Sequence, residues 1–139
     1  MIITINSQPA YAYTGGKAFN AQLPTAVFIH GAQNDHSVWA LQTRYFAHHG
    51  FSVLAVDLPG HGRSKGQPLT TVEAMSDWLN TLLQSVSVQR AVLIGHSMGS
   101  LIALETANRA KALVAGVALV GTAYPMKVSP LLLEASEHR

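Results

Sequence analysis

The sequence predicts an α/β fold, a mostly parallel sheet that opens with an N-terminal hairpin and carries helices on both faces. Three observations predict it. Continuous apolar runs at residues 25–29, 51–56, 91–94 and 113–120 read as strands buried on both sides. Segments of helical periodicity, about 10–15 residues long, alternate with these runs, and such alternation builds parallel sheets through right-handed crossovers. The composition agrees: 48% apolar and 12% charged residues over 139 positions leave charge at about half its usual share.

Each element has its own local reason. Residues 2–5 and 10–13 are β-prone and flank the turn-like Asn6-Ser7-Gln8-Pro9, which predicts a hairpin ended by Gly15 and Gly16. The run TAVFI stops at His30-Gly31 and predicts the first central strand. From Ser37 to His49, Val38, Leu41 and Tyr45 recur with Trp39 and Phe46 at helical spacing, and Gly50 supplies a stop. The next strand, 51–56, ends at Asp57 and leads into the loop at 58–66. Thr70 and Glu73 form a capping-box pattern before a helix whose apolar face is Val72, Met75, Trp78, Leu79, Leu82, Leu83 and Val86. Strand 91–94, an almost wholly apolar helix from Met98 to Arg109 and strand 113–120 follow. Residues 1–123 are expected to form one core unit, and 124–139 to begin another segment, with Ser129 as helix cap and Pro130 at the first helical position.

Several function classes drop out. The longest apolar stretch, 112–120, falls far short of the ~18 residues that span a bilayer. The N-terminus lacks the marks of a signal peptide, so no stable membrane insertion and a cytoplasmic location are expected. The absence of cysteine excludes disulfides, thiolate nucleophiles and cysteine-based zinc sites. Net charge is +2 with the nine Lys and Arg scattered, so no nucleic-acid partner is expected. Gly60, Gly62 and Gly66 miss the dinucleotide spacing, Gly15-Gly16-Lys17 lacks the rest of a P-loop, and the seven histidines show no metal-ligand spacing. No cofactor and no metal are expected.

Ligands of such sheets bind at the carboxyl ends of the strands, where the unusual residues collect: His30-Gly31, Asp57 onward, and Gly95-His96-Ser97-Met98-Gly99. The last is G-x-S-x-G between a strand and a helix. In that context the serine occupies a sharp, strained turn, and the glycines let strand and helix approach it. The helix opening at Met98 also directs unpaired N–H groups and its positive end toward Ser97.

With these residues in view, nearly the whole chain resembles the α/β-hydrolase family. His30-Gly31-Ala32 resembles its oxyanion loop, Asp57-Leu58-Pro59-Gly60-His61-Gly62-Arg63-Ser64 its D-x-x-G-x-G-x-S loop, and Gly95 to Gly99 its nucleophile elbow. The wording GHSMG is similar to serine esterases and lipases of the family, and Ser97 argues against its aspartate-nucleophile branches. The resemblance implies Ser97 as nucleophile, the backbone N–H groups of Met98 and Ala32 as oxyanion donors, and His30, Gly31, Gly95 and Gly99 as supports. It implies hydrolysis of a small-molecule carboxylic ester or related acyl substrate through an acyl-enzyme. A non-catalytic ligand-binding protein and an acyltransferase are the alternatives.

In the family a triad acid and then a histidine follow the nucleophile. After Ser97 the sequence offers Glu105, inside a helix, then Glu134, Glu137 and His138, where the family places its cap. The triad acid and histidine are therefore expected beyond Arg139, with the chain the N-terminal half of an α/β-hydrolase, truncated after about the sixth strand and inactive alone. His30, His61 and His96 read as structural, and His36, His48 and His49 as solvent-facing or at helix ends. Asp57 reads as a turn residue pairing with backbone N–H groups. Strand 113–120 would be an exposed edge, and self-association through it is expected.

Overall fold

The computed structural model describes residues 1–120. The segment 124–139, residues 121–125, and with them Glu134, Glu137 and His138, lie outside the described residues. The strands are β1 (Ile2–Ile5), β2 (Gln8–Tyr13), β3 (Thr25–Ile29), β4 (Ser52–Val56), β5 (Ala91–His96) and β6 (Val114–Val120). They form one sheet in the order β1-β2-β4-β3-β5-β6. The hairpin β1/β2 and the β2/β4 pair are antiparallel, whereas β3, β4, β5 and β6 pair in parallel. The predicted mixed sheet is therefore present.

All five residues of β3 and of β4 are buried, which is why both read as unbroken apolar runs. Their side chains alternate between two cores. Val27, Ile29, Leu54, Val56 and Leu93 join the larger core with helices α2 (Val72–Ser85) and α3 (Met98–Arg109). Ala26, Phe28, Val53, Ala55 and Ile94 join the smaller one with Trp39 and Ala47. Every fully buried Leu, Ile or Phe here contributes ~1.5–3 kcal/mol of hydrophobic stabilisation. The central strands thus sit clamped between helices, and their carboxyl ends are held in fixed register.

Helix α2 buries Met75, Trp78, Leu79, Leu82 and Leu83, as its periodicity requires. Its cap is Thr71 rather than Thr70: Ala74 N–H donates to Thr71 Oγ1 at 3.0 Å, and Glu73 falls in the first turn. Two adjacent threonines offer the same chemistry, and the helix starts one residue later than the capping-box spacing implies.

The expected helix at 37–49 is a 3-10 turn, His36–Trp39, followed by α1 (Ala40–Ala47). Asp35 opens the turn by accepting Ser37 N–H at 2.8 Å. Of the five residues of the expected apolar face, Trp39 is buried and Phe46 half-buried. Trp39 packs against Phe28, with Phe46 on the same ring, but Val38, Leu41 and Tyr45 are 46%, 82% and 60% exposed. Gly15 explains the orientation. A Cβ on Gly15 would sit 2.8 Å from both Ala47 Cβ and Thr43 O, so the chain at Gly15 lies directly on α1 and only small residues fit between. Thr43 accepts burial because its hydroxyl donates to Trp39 O at 2.9 Å.

This orientation predicts opposite costs on the two faces. Trp39→Ala should destabilise the chain by ~3–5 kcal/mol, whereas Leu41→Gln should change stability by less than ~0.5 kcal/mol. Urea denaturation measures both, and a large loss on Leu41→Gln would place the buried face elsewhere.

Candidate active site

β3 and β5 run side by side, with Ile29 opposite Gly95. The residues that follow, His30-Gly31 on one strand and His96-Ser97 on the other, are therefore neighbours. Helix α3 begins at Met98, immediately beyond Ser97. It crosses the two strands at minimal distance: a Cβ on Gly99 would collide with the Ile29 carbonyl oxygen, and one on Gly95 with the Gly99 carbonyl oxygen. Any larger residue at either position forces helix and strand apart.

Ser97 makes the turn between strand and helix at φ 57°, ψ −121°. Such backbone geometry costs a non-glycine residue about 1–3 kcal/mol and persists only where its surroundings impose it. Ser97 is half-buried, and its hydroxyl makes no hydrogen bond among the described residues. A Cβ on Gly31 would lie 3.2 Å from Ser97 Cβ, so the loop after β3 rests against the serine. Met98 N–H, at the first position of α3, has no intrahelical acceptor. The elbow, the loop at His30-Gly31-Ala32 and the α3 N-terminus thus converge on one spot.

The loop after β3 is anchored at both ends. At its start, His30 is fully buried; its Nδ1 lies 2.7 Å from Gly31 O, and Leu58 N–H donates to its Nε2 at 3.1 Å. Nε2 therefore carries no proton, and Nδ1–H donates to Gly31 O. Burial lowers the His30 pKa below 6.5, aided by the neighbouring His61 and opposed by the Gly31 hydrogen bond and by Asp57 and Asp35. At the loop's far end, the fully buried Asp57 accepts His36 N–H at 2.7 Å and Arg63 N–H at 2.9 Å, with His36 Nδ1 at 3.0 Å. The buried carboxylate thus meets the donors it needs and joins the loop after β4 to the loop after β3.

Ser64 closes the loop after β4, donating to Asp57 O and accepting Tyr11 N–H. Asp57 binds backbone N–H groups, the role its turn position implies. The His36–Asp57 contact was not legible in the sequence, because the two residues stand 21 positions apart and neither helical nor strand periodicity connects them. His36 stands at a helix end, one of the two places expected for it, but it is half-buried and paired rather than solvent-facing.

None of the described histidines hydrogen-bonds Ser97 Oγ. His30 and His36 are engaged as above, His61 with Pro59 O and His49 with Tyr45 O, while the His96 ring stands edge-on to Trp39. Glu105 pairs with Arg109 along α3. Asp35, His36 and Asp57 place three ligand-type atoms within 4.8 Å of one another, but Asp57 is taken up by N–H donors and Asp35 by Ser37, a poor fit to a metal ion. Beside the elbow, His96 and Asn34 share a cleft of about 180 Å³ with Val38, Trp39, Gln42 and Val120.

Comparison with known proteins fits this geometry. Residues 24–138 match the family described as alpha/beta hydrolase fold, and the chain belongs to that family. It is 35% identical over 111 residues to the dihydrolipoyllysine-residue acetyltransferase component of the acetoin cleaving system of Cupriavidus necator, covering 79% of this chain and 28% of the relative. It is 34% identical over 99 residues to the 2-succinyl-6-hydroxy-2,4-cyclohexadiene-1-carboxylate synthase of Escherichia coli O8, covering 71% of this chain and 38% of the relative. The enol-lactonase of Burkholderia xenovorans LB400 superposes with a TM-score of 0.74 at 27% identity, over 84% of this chain and 45% of that one. The chain therefore spans less than half the length of these proteins.

A buried neutral His30 makes stability depend on pH. The unfolded chain takes up a proton near pH 6.5 that folded His30 refuses, so stability should be full above that pH and decline as pH falls below it. The decline between pH 7.5 and 5.5, followed by urea denaturation, should be shallower in His30→Asn than in the wild type. Equal slopes would show that His30 takes no part.

Proposed function

We propose that the chain supplies the nucleophile and the oxyanion donors of a hydrolase that cleaves carboxylic esters or related acyl bonds of small molecules. The observation that carries this reading is the Ser97 backbone at φ 57°, held between Gly95 and Gly99 with Gly31 against it. Ser97 Oγ adds to the acyl carbonyl while its proton passes to a base. The carbonyl oxygen becomes an oxyanion, which the N–H groups of Ala32 and Met98 receive; each such donor contributes ~3 kcal/mol to the transition state. Collapse expels the alcohol, which takes the proton from the base, and water then releases the acid from the serine.

We assign the base and its orienting carboxylate to residues that this 139-residue sequence does not contain, since no described histidine serves Ser97. Transfer of the acyl group to an acceptor other than water is the second reading, favoured by the acetyltransferase name of the Cupriavidus relative. Both readings share the acyl-enzyme. β6 pairs only with β5 among the described residues, and its other edge is the proposed surface for self-association.

The 139-residue chain should hydrolyse a short-chain nitrophenyl ester no faster than its Ser97→Ala variant, because a serine without a base is a weak nucleophile. A protein that combines this chain with the triad acid and histidine should lose at least ~10⁴-fold in kcat on Ser97→Ala. Ser97-dependent turnover at enzymatic rates by the 139-residue chain would overturn the placement of the base. An unaffected Ser97→Ala variant of the longer protein would overturn the reading as a whole.

A further inference from the structure

We propose that His30 is a positioning residue for the oxyanion donor: by holding the Gly31 carbonyl, its ring fixes the direction in which the Ala32 N–H points. This role rests on the hydrolase reading of Ser97. Its geometry is that of a single peptide unit. Gly31 C=O and Ala32 N–H belong to the same planar trans amide, so they point in opposite directions and turn only together. His30 Nδ1–H donates to Gly31 O at 2.7 Å, and Asn34 N–H donates to the same oxygen at 3.2 Å. Two donors on one carbonyl leave the plane little freedom to rotate.

The ring is itself held from behind. Leu58 N–H donates to His30 Nε2 at 3.1 Å and thereby fixes the tautomer that donates to Gly31. A proton on Nε2 would set two donors face to face and break this link. Burial favours the neutral ring that this arrangement requires. Leu58 follows Asp57 directly, and Asp57 holds His36 N–H at the other end of the loop. The segment from β4 therefore braces the loop after β3 at two points, one of them the His30 ring that holds the Gly31 carbonyl. His30 touches no reacting atom in this scheme and acts through Gly31 and Ala32.

Two substitutions separate the ring's two contacts. In His30→Asn, the side-chain amide N–H stands near the position of Nδ1 and can still donate to Gly31 O. In His30→Gln, the amide reaches toward the Leu58 side and the donation to Gly31 is lost. In the catalytically active protein that contains this chain, His30→Gln should lower kcat by about 10- to 100-fold, the range expected when a catalytic group is displaced by about 1 Å. KM should change by less than about 3-fold, because the donor acts on the transition state. His30→Asn should recover most of the lost kcat.

A second measurement guards against variants that fail to fold. In the ¹⁵N-labelled 139-residue chain at pH 7, NMR should show His30 protonated on Nδ1 and bare on Nε2. A ring protonated on Nε2 or on both nitrogens would overturn the proposal whatever the variants do. If Ser97→Ala retains activity, the hydrolase reading has failed and the role of His30 falls with it. If Ser97→Ala is inactive while a folded His30→Gln keeps wild-type kcat, only the role of His30 has failed.

Discussion

The constraint on which the site depends is the close crossing of α3 over β3 and β5. Gly95 and Gly99 have no space for a Cβ because helix and strand backbones meet there directly. That proximity forces the chain to turn from strand to helix within one residue, and Ser97 takes the strained conformation that results. The burial of Leu93, Ile102 and Ala103 at full depth beneath the crossing offsets a local strain of about 1–3 kcal/mol. The apolar packing of α3 and the placement of a half-buried serine at the α3 N-terminus are thus two consequences of one contact.

Around this crossing the polar groups do structural work on backbone amides. His30, Asp57 and Ser64 are buried at the ends of strands that are otherwise apolar, and each has its hydrogen bonds satisfied. His30 and Asp57 tie the loop after β4 to the loop after β3, and Ser64 ties the loop after β4 to β2. The arrangement accounts for the concentration of histidine and aspartate in this half of the fold without assigning them the proton transfers of catalysis. It favours rigidity where the loop after β3 meets Ser97, the side proposed to receive the oxyanion, and preorganised donors contribute most because they need no reorganisation during a reaction.

Much of this was legible in the sequence. The strands β3 and β4 announce themselves because burial on both faces demands unbroken apolar runs, and α3 begins at Met98 as the G-x-S-x-G context requires. The elbow is legible for the same reason: its glycines are local requirements of backbone approach. Where the decisive contact came from a distant segment, the sequence was silent. Periodicity placed Val38, Leu41 and Tyr45 on a buried face, but the approach of Gly15 turned α1 so that Thr43 and Ala47 face inward. The choice of Thr71 over Thr70 as cap depended on where α2 starts, and the pairing of His36 with Asp57 on the meeting of two loops.

The central claim is that Ser97 is the nucleophile and that Ala32 and Met98 are the oxyanion donors. A crystal structure of the active protein after reaction with a fluorophosphonate tests it most directly. The account predicts phosphorus bonded to Ser97 Oγ, with one phosphonyl oxygen about 2.7–3.1 Å from both amide nitrogens. An adduct on another residue, or a phosphonyl oxygen directed away from Ala32 and Met98, would contradict it.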